Sequence, residues 1–424
     1  MNLRRTAGAA AALAACCCMG TATAGPLVWV SVGEDAYRLL RRAGAQIDQV
    51  EVHTVPVQAP AAAGSDRLIT RNDSVYLMRV DEDALPALST AVHERLHRCG
   101  GYVLHASRAE GRQQLAAFKA LPKALAKVNY TIDNQAEVNA LLPQLQESNV
   151  RSTIVHLSTD YKNRYYRTHY GVAASDDLVQ TWKALAAGRS DVTVKQFTHS
   201  WAQKSVIMTI KGTTKPKEIV VIGGHLDSTI GNTQEESIAP GADDDASGIA
   251  SLQEVARVLL SSGYQPRRTL QFIAYSAEEL GLLGSADIAA DYKAQGKKVV
   301  GAMQLDMTNY QGGSSDYTII TDYTNAAQNT FVKNLAAFYT PSMVVNQGAC
   351  GYACSDHASW TRNGYVASFP FESLLNQDNP YIHTPQDTID KSGNTANHAI
   401  KFSRLALAFA VELGSDGPAP LARP

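Results

Sequence analysis

The apolar positions after about residue 205 alternate between two periodicities. Short continuous apolar runs indicate buried strands, at 219–222, 270–275, 299–305, 317–321 and 366–369. Apolar residues spaced three and four apart indicate helices between and after them, at 247–260, 280–292 and 398–413. This order predicts an α/β fold, a single globular catalytic domain with a central mixed, mostly parallel sheet flanked by helices.

The chain before residue 205 divides less regularly. Helical spacing at 135–146 and at 175–187 joins the catalytic domain, which we place at 128–413. Residues 25–127 are a region apart, with an Ala- and Pro-containing linker at 56–64 and short strand-like or helical runs. We expect them to form a small pro-segment domain. Residues 414–424 are rich in Gly and Pro and are expected to be a flexible tail.

The first residues are typical of a secretory signal peptide. Arg4 and Arg5 precede an apolar stretch at 7–18, and small residues lead to Ala24, after which we predict cleavage. The apolar stretch is too short to cross a membrane, and no later segment approaches the roughly 20 apolar residues that a spanning helix needs. We expect a secreted, soluble protein. A lipoprotein-like box ending at Cys16 makes a lipid-anchored or periplasmic protein the weaker alternative.

The composition of the chain limits the classes of molecule that it could bind. The chain has 424 residues, 45% of them hydrophobic and 18% charged, with a net charge of -2, and no basic run marks a nucleic-acid or membrane surface. We therefore expect a monomer with small or neutral partners. Cys16, Cys17 and Cys18 leave with the signal peptide, so export favours a Cys350–Cys354 disulfide with Cys99 left over.

Acidic and imidazole side chains follow three consecutive predicted strands. His225 follows the first, Glu278 and Glu279 the second, and Asp306 the third. Ligands of open α/β sheets bind at the carboxyl ends of strands. Any one of these groups alone is more often a loop residue or a helix cap. Together they would repel one another without a cation, so a bound metal is the simplest explanation.

Six motifs in order strengthen this interpretation: GGHLDS, APGADDDASG, AYSAEE, QLDMTNY, CGYACSDH and NPYIHTPQDT. They resemble the M28 family of zinc aminopeptidases over about residues 130–414, with the greatest likeness to secreted bacterial leucyl aminopeptidases. The resemblance implies a secreted enzyme that removes hydrophobic, leucine-like residues from peptides with a free amino terminus.

The resemblance also implies two zinc ions per chain and a role for each ligand. His225 and Asp306 would bind one zinc, Glu279 and His383 the other, and Asp244 would bridge both. A metal-bridged water would be activated by Glu278 as general base.

Two further implications concern the surroundings of these ligands. Asp227 would fix the tautomer of the His225 imidazole. A cis peptide bond would follow Asp244.

Four positions match the family's substrate pocket: Tyr352, Cys354, Phe371 and Ile382. Apolar walls there would select hydrophobic side chains, with the Cys350–Cys354 bridge holding the loop. Leu375 stands where the resemblance predicts an aromatic residue, so the pocket is expected to differ in shape. At other positions such residues are more often plain core.

Three alternatives compete with this hypothesis. His93, Glu94 and His97 form a literal HExxH motif, in which two histidines one helical turn apart bind zinc. Position 103 is Val rather than the third histidine of the extended motif, which favours an ordinary amphipathic helix. A catalytically inactive binding protein would have lost ligands, and a single-zinc glutaminyl cyclase would not need the full two-metal set.

Overall fold

The computed structural model describes residues 25–62, 65–96, 100–119, 128 and 130–415. The predicted signal peptide at 1–24, Cys99, His97, the junction near residue 127 and the tail after Ser415 lie outside these residues. Among the described residues, no helix combines the length and the apolar character that crossing a membrane requires.

Residues 25–119 form a domain around their own antiparallel sheet, with strand order β2-β3-β1-β4. Its strands are β1 (Leu27–Gly33), β2 (Ile47–Pro60), β3 (Leu68–Asp81) and β4 (Tyr102–His105). Its helices are α1 (Glu34–Arg42), α2 (Leu85–Leu96) and α3 (Arg108–Lys119). Alternate residues of β1 and β3, such as Val30 and Met78, pack with Leu88 and Val92 of α2 in a separate apolar core. We call this unit the amino-terminal domain.

The rest of the chain surrounds an eight-stranded sheet with the order β11-β10-β12-β9-β7-β8-β6-β5. The strands are β5 (Val192–Phe197), β6 (Ser205–Ile210), β7 (Lys215–His225), β8 (Arg268–Tyr275), β9 (Lys298–Gln304), β10 (Tyr317–Ile320), β11 (Val345–Gly348) and β12 (Ala367–Phe371). The four central strands β12, β9, β7 and β8 run parallel to one another. The strands β5 and β6 pair antiparallel, and β10 is antiparallel to β12 but parallel to β11. The predicted mixed, mostly parallel sheet is confirmed.

Helices cover both faces of this sheet. They are α4 (Gln135–Leu141), α5 (Glu147–Thr159), α6 (His169–Leu185), α7 (Ala246–Ser261), α8 (Leu283–Ala294), α9 (Ala326–Tyr339), α10 (His357–Arg362) and α11 (Ala399–Gly414). Along β7, Val220 and Ile222 join the core under α7 and α11, while Val221 faces the core under α8 and α10. Because β7 is apolar on both faces, it packs against a layer of helices on each side of the sheet.

Three helix boundaries differ from the sequence prediction. The helix predicted at 135–146 ends at Leu141, because Pro143 lacks an N–H for the next turn, and a short 3-10 turn follows. The helix predicted at 175–187 begins at His169, where the Thr168 side chain accepts a hydrogen bond from Gly171 N. The helix predicted at 280–292 begins at Leu283, because residues 278–282 form a loop after β8.

Candidate metal centre and active site

The parallel strands bring the predicted ligands to one edge of the sheet. His225 is the last residue of β7, Glu279 lies four residues after β8, and Asp306 two residues after β9. Asp244 lies in the loop before α7, and His383 in the loop after β12. Since β8, β7 and β9 are neighbours, their carboxyl ends meet, as the sequence predicts.

The two oxygens of Asp244 face two histidines. His225 Nε2 lies 2.9 Å from Asp244 Oδ1 and 3.4 Å from Asp306 Oδ1. His383 Nε2 lies 3.2 Å from Asp244 Oδ2 and 2.9 Å from Glu279 Oε2. Asp244 thus stands between two sets of ligand atoms that have the membership implied by the resemblance.

Asp245 also lies within reach of His225 and Asp306. Its oxygens already accept hydrogen bonds from the main-chain amides of His225, Gly248 and Met307, at 2.8–3.2 Å. These bonds join three loops of the site, so Asp245 is better placed to hold them together than to bind a metal. The peptide bond between Asp244 and Asp245 is cis, as expected.

Asp227 holds the loop after β8. Its two oxygens accept hydrogen bonds from Glu278 N at 3.0 Å and Glu279 N at 3.2 Å. His225 Nδ1 pairs at 3.0 Å with the main-chain oxygen of Asp227, while the carboxylate Oδ1 is 3.6 Å away. The tautomer of His225 is therefore set by the carbonyl of this residue, with the carboxylate nearby.

The polar atoms of the site fit a metal. Among the described residues, Oε1 of Glu279 and Nδ1 of His383 are buried without a hydrogen-bond partner. Burial raises the pKa of Glu279 to about 7, with His383 acting in the opposite direction. Burial also raises the pKa of Asp387, to about 8. Buried carboxylates that repel one another, together with imidazole nitrogens, form a set of ligands that suits a divalent cation.

Glu278 lies beside the predicted metal ligands but takes no part in the contacts between them. Its two oxygens are buried and accept no hydrogen bond from the described residues. Burial, opposed by the charge of His225 and aided by Asp356, raises the pKa of this carboxyl well above its usual range. A raised pKa of this kind is typical of carboxyls that act as general acids or bases.

A hydrogen-bond network holds the start of the Glu278 loop in place. The sequence pattern did not predict this network. Ser276 N donates to Ser205 Oγ, which pairs with His199 Nε2 at 2.8 Å, and His199 Nδ1 pairs with Asp287 at 2.9 Å. The arrangement looks like a serine-hydrolase triad, but Ser205 is fully buried within β6. Its role is to tie Ser276 to Asp287 of α8, one on each side of the Glu278 loop.

The expected pocket residues fall into two clusters. Cys354, Phe371 and Ile382 pack together with Met307, next to Asp306, and Leu375 covers this group. Cys350 and Cys354 form the expected disulfide. Tyr352 lies elsewhere, packed among residues of the amino-terminal domain, and its hydroxyl is hydrogen-bonded to Ser31.

The amino-terminal domain covers the candidate site. Its Leu104 N donates to Gly281 O, two residues after Glu279, and a Cβ on Gly281 would lie 2.9 Å from the Tyr102 ring. The five predicted metal ligands are at most 8% exposed, the highest value being that of His383.

The described part of the HExxH motif, His93 to Leu96, lies on α2 next to this site. The ring centroid of His93 is 5.5 Å from that of His383, whereas Glu94 is exposed. A zincin would need that glutamate at the metal, so the helix does not form a zincin site. The sequence singled out the motif but gave no signal that His93 meets His383.

Comparison with known proteins agrees with this geometry. Residues 205–408 match the family model described as peptidase family M28. Leucine aminopeptidase 1 of Coccidioides posadasii is 39% identical over 299 residues, which span 66% of this chain and 75% of that protein. The crystal structure of LapB from Legionella pneumophila superposes with a TM-score of 0.73 at 30% identity, covering 92% of this chain and all of that one. The LapA aminopeptidase of the same organism gives 0.72 at 29% identity, covering 92% and 99%.

Proposed function

Because the chain belongs to peptidase family M28 and is a metallo-aminopeptidase, we propose that it binds two zinc ions and removes hydrophobic residues from the amino termini of peptides. The observation that carries this proposal is the position of Asp244. Its two oxygens face two separate ligand sets, one with His225 and Asp306 and one with His383 and Glu279. A bridging carboxylate of this kind is the feature that separates a two-metal site from a one-metal site.

The residues of the chain divide the work of peptide hydrolysis. Zinc held by the five predicted ligands would supply Lewis acidity to the scissile carbonyl and would lower the pKa of a water towards about 7. Glu278 takes the proton of the attacking water and returns it to the leaving amine nitrogen. Asp227, through its bonds to the amides of Glu278 and Glu279, keeps that carboxylate aimed at the reacting atoms.

The proposed preference for hydrophobic residues rests on the cluster of Cys354, Phe371 and Ile382. These side chains lie beside Met307, which follows the ligand Asp306, so a substrate side chain would meet an apolar wall. Leu375 lies at the edge of a cavity of about 400 Å³ shared with Leu96 of α2. Leu375 thus gives the outer wall of the pocket a smaller side chain than the aromatic residue expected at this position.

We further propose that residues 1–24 direct secretion and that the amino-terminal domain is a pro-segment. Support for the second part comes from the contacts of His93 of α2 with His383 and of Leu104 of β4 with Gly281, next to ligands that are at most 8% exposed. A substrate requires an open path to them, so the domain would mask the site until it is removed.

The catalytic proposal is tested by Glu278→Gln in enzyme freed of the amino-terminal domain. We expect two zincs per chain, little change in KM for leucyl anilide, and a fall in kcat of about 10²- to 10⁴-fold, because the base is lost while the ligands remain. Exposed Glu236→Gln is the control and should match the unmodified enzyme. A chelator should abolish the activity, and zinc should restore it. Normal turnover by a two-zinc Glu278→Gln enzyme would contradict the assignment of the base.

A further inference from the structure

Helix α2 has two faces with different partners. Leu88 and Val92 pack into the core of the amino-terminal domain. The other face meets the catalytic domain, since a Cβ on Gly231 would lie 2.6 Å from Thr90 Oγ1. His93, one turn further on, is only 6% exposed. Because one face of α2 is packed into the core of the amino-terminal domain, His93 is held in position against the catalytic domain.

The spacing of His93 and His383 is informative. Their ring centroids are 5.5 Å apart, with the ring planes inclined by 45°. Two imidazoles bound to one tetrahedral zinc, with bonds of about 2.0–2.1 Å, have centroids roughly 5–5.5 Å apart. Simple ring packing also occurs at such distances. The surroundings favour the metal, because His383 Nε2 lies between the carboxylates of Glu279 and Asp244 at 2.9 and 3.2 Å.

We propose that in the unprocessed chain His93 is the fourth protein ligand of the metal held by Asp244, Glu279 and His383. This inference rests on the proposed two-zinc site and deepens the proposed masking. Catalytic zinc sites keep one position open for water or substrate, whereas closed four-ligand sites are structural. His93 would convert an open site into a closed one, so that inhibition acts at the metal as well as by covering the cleft.

The test compares three full-length chains: the unmodified protein, His93→Phe and Glu94→Gln. Phe retains a ring at position 93 but cannot bind a metal, and Glu94 is exposed on the same helix. With Co²⁺ in place of zinc, we expect His93→Phe alone to change the visible absorption bands. We also expect it to release metal to a chelator at least about tenfold faster, the scale seen for weakened metal sites. Glu94→Gln should match the unmodified chain in both measurements.

A measurement on the unmodified chain is independent of how well the variants fold. X-ray absorption at the zinc edge should count three imidazoles for two zincs, from His225, His383 and His93, rather than two. A count of two, or identical cobalt spectra and chelator rates for the unmodified chain and His93→Phe, would overturn the inference. If the full-length chain bound fewer than two zincs, the proposed function itself would fail. Two zincs with two imidazoles would remove only the role of His93.

Discussion

Arg164 is a buried charge held mainly by main-chain carbonyls. Its guanidinium donates to the oxygens of Leu226 at 2.8 Å and Gly241 at 2.9 Å, which adjoin the loops of His225 and Asp244, and also to Leu157 and Pro240. Burial lowers its pKa, while Asp387 and other carboxylates of the site raise it. This cation thus joins the two ligand loops from below and offsets part of their negative charge.

Replacing this guanidinium tests the role directly. Arg164→Lys keeps the charge but loses the planar set of donors, so buried carbonyls lose their partners. We expect the free energy of unfolding to fall by about 3 kcal/mol or more, measured by urea denaturation. Arg167→Lys is the matched control, because the Arg167 side chain is 61% exposed in its ion pair with Glu82. It should change stability by less than about 1 kcal/mol. Equal effects of the two substitutions would show that the carbonyl bonds of Arg164 contribute little.

Part of the candidate site could be predicted from the sequence. His225, Asp306 and Glu279 were predictable, because each follows a strand whose apolar run is visible in the sequence. The contact between His93 and His383 was not, because it depends on how two domains with separate sheets pack together. The hydrogen bond from Tyr352 to Ser31 has the same origin, and it places an expected pocket residue in the contact between the domains.

At the scale of elements, the base of the central sheet is held by one carboxylate. Glu218 of β7 accepts hydrogen bonds from Arg268 of β8 at 2.6 Å and Lys298 of β9 at 2.7 Å. Burial acts against ionisation, but the bonds from Lys298 and Arg268 outweigh it and lower the pKa of Glu218 to about 2. Three parallel strands are thereby tied at the end opposite the proposed metal ligands.

This shift predicts a pH dependence of stability. The folded-state pKa lies below the unfolded value of about 4.5, so the contribution is present above pH 4.5 and is lost as the pH falls towards 2. Glu218→Gln should reduce the free energy of unfolding near neutral pH by about 1–2 kcal/mol, allowing for solvent screening. It should also flatten its decline between pH 4.5 and 2.5. The exposed pair of Glu236 and Lys162 supplies the control, since Glu236→Gln should have a smaller effect. Parallel pH profiles for the unmodified chain and Glu218→Gln would contradict this assignment.

The positions of strands and helices were predictable where the apolar pattern is long. The predicted ends of these elements were less accurate. The strands at 219–222, 270–275 and 299–305 lie within β7 and β8 or largely within β9. The first turn of α6 was missed because its start depends on a Thr168 cap in a polar stretch. The order of the strands in the sheet could not be read from periodicity, because pairing joins residues that are distant in sequence.

At the scale of the whole molecule, the two domains share an apolar cluster. Val57 and Leu77 of the amino-terminal domain pack with Leu282, Tyr323 and Tyr352 of the catalytic domain. Ser31, hydrogen-bonded to both His105 and Tyr352, adds polar contacts at the same boundary. The amino-terminal domain is therefore attached by broad packing on several sides of the site.

If the amino-terminal domain masks the site as proposed, loosening this attachment should raise the activity of the unprocessed chain. Thr90→Arg places a long charged side chain where α2 meets Gly231, so α2 would be pushed away from the metal centre. We expect unprocessed Thr90→Arg to hydrolyse leucyl anilide at least about tenfold faster than the unmodified chain, since about 1.4 kcal/mol of lost docking free energy suffices for that factor. Glu94→Arg, on the exposed side of α2, should have the same activity as the unmodified chain. Full activity of the unmodified, unprocessed chain would exclude masking altogether.

The separate core of the amino-terminal domain has a consequence for activation. A unit with its own packed interior, built from residues such as Val30, Met78 and Leu88, would stay folded after the chain is cut between the domains. Cleavage would then convert a tethered inhibitor into a bound one, governed by mass action. Activity would appear with a lag on dilution and decline when the excised domain is added back. The switch would be completed by dissociation or by digestion of the freed domain, and the local concentration of enzyme would set how quickly it turns on.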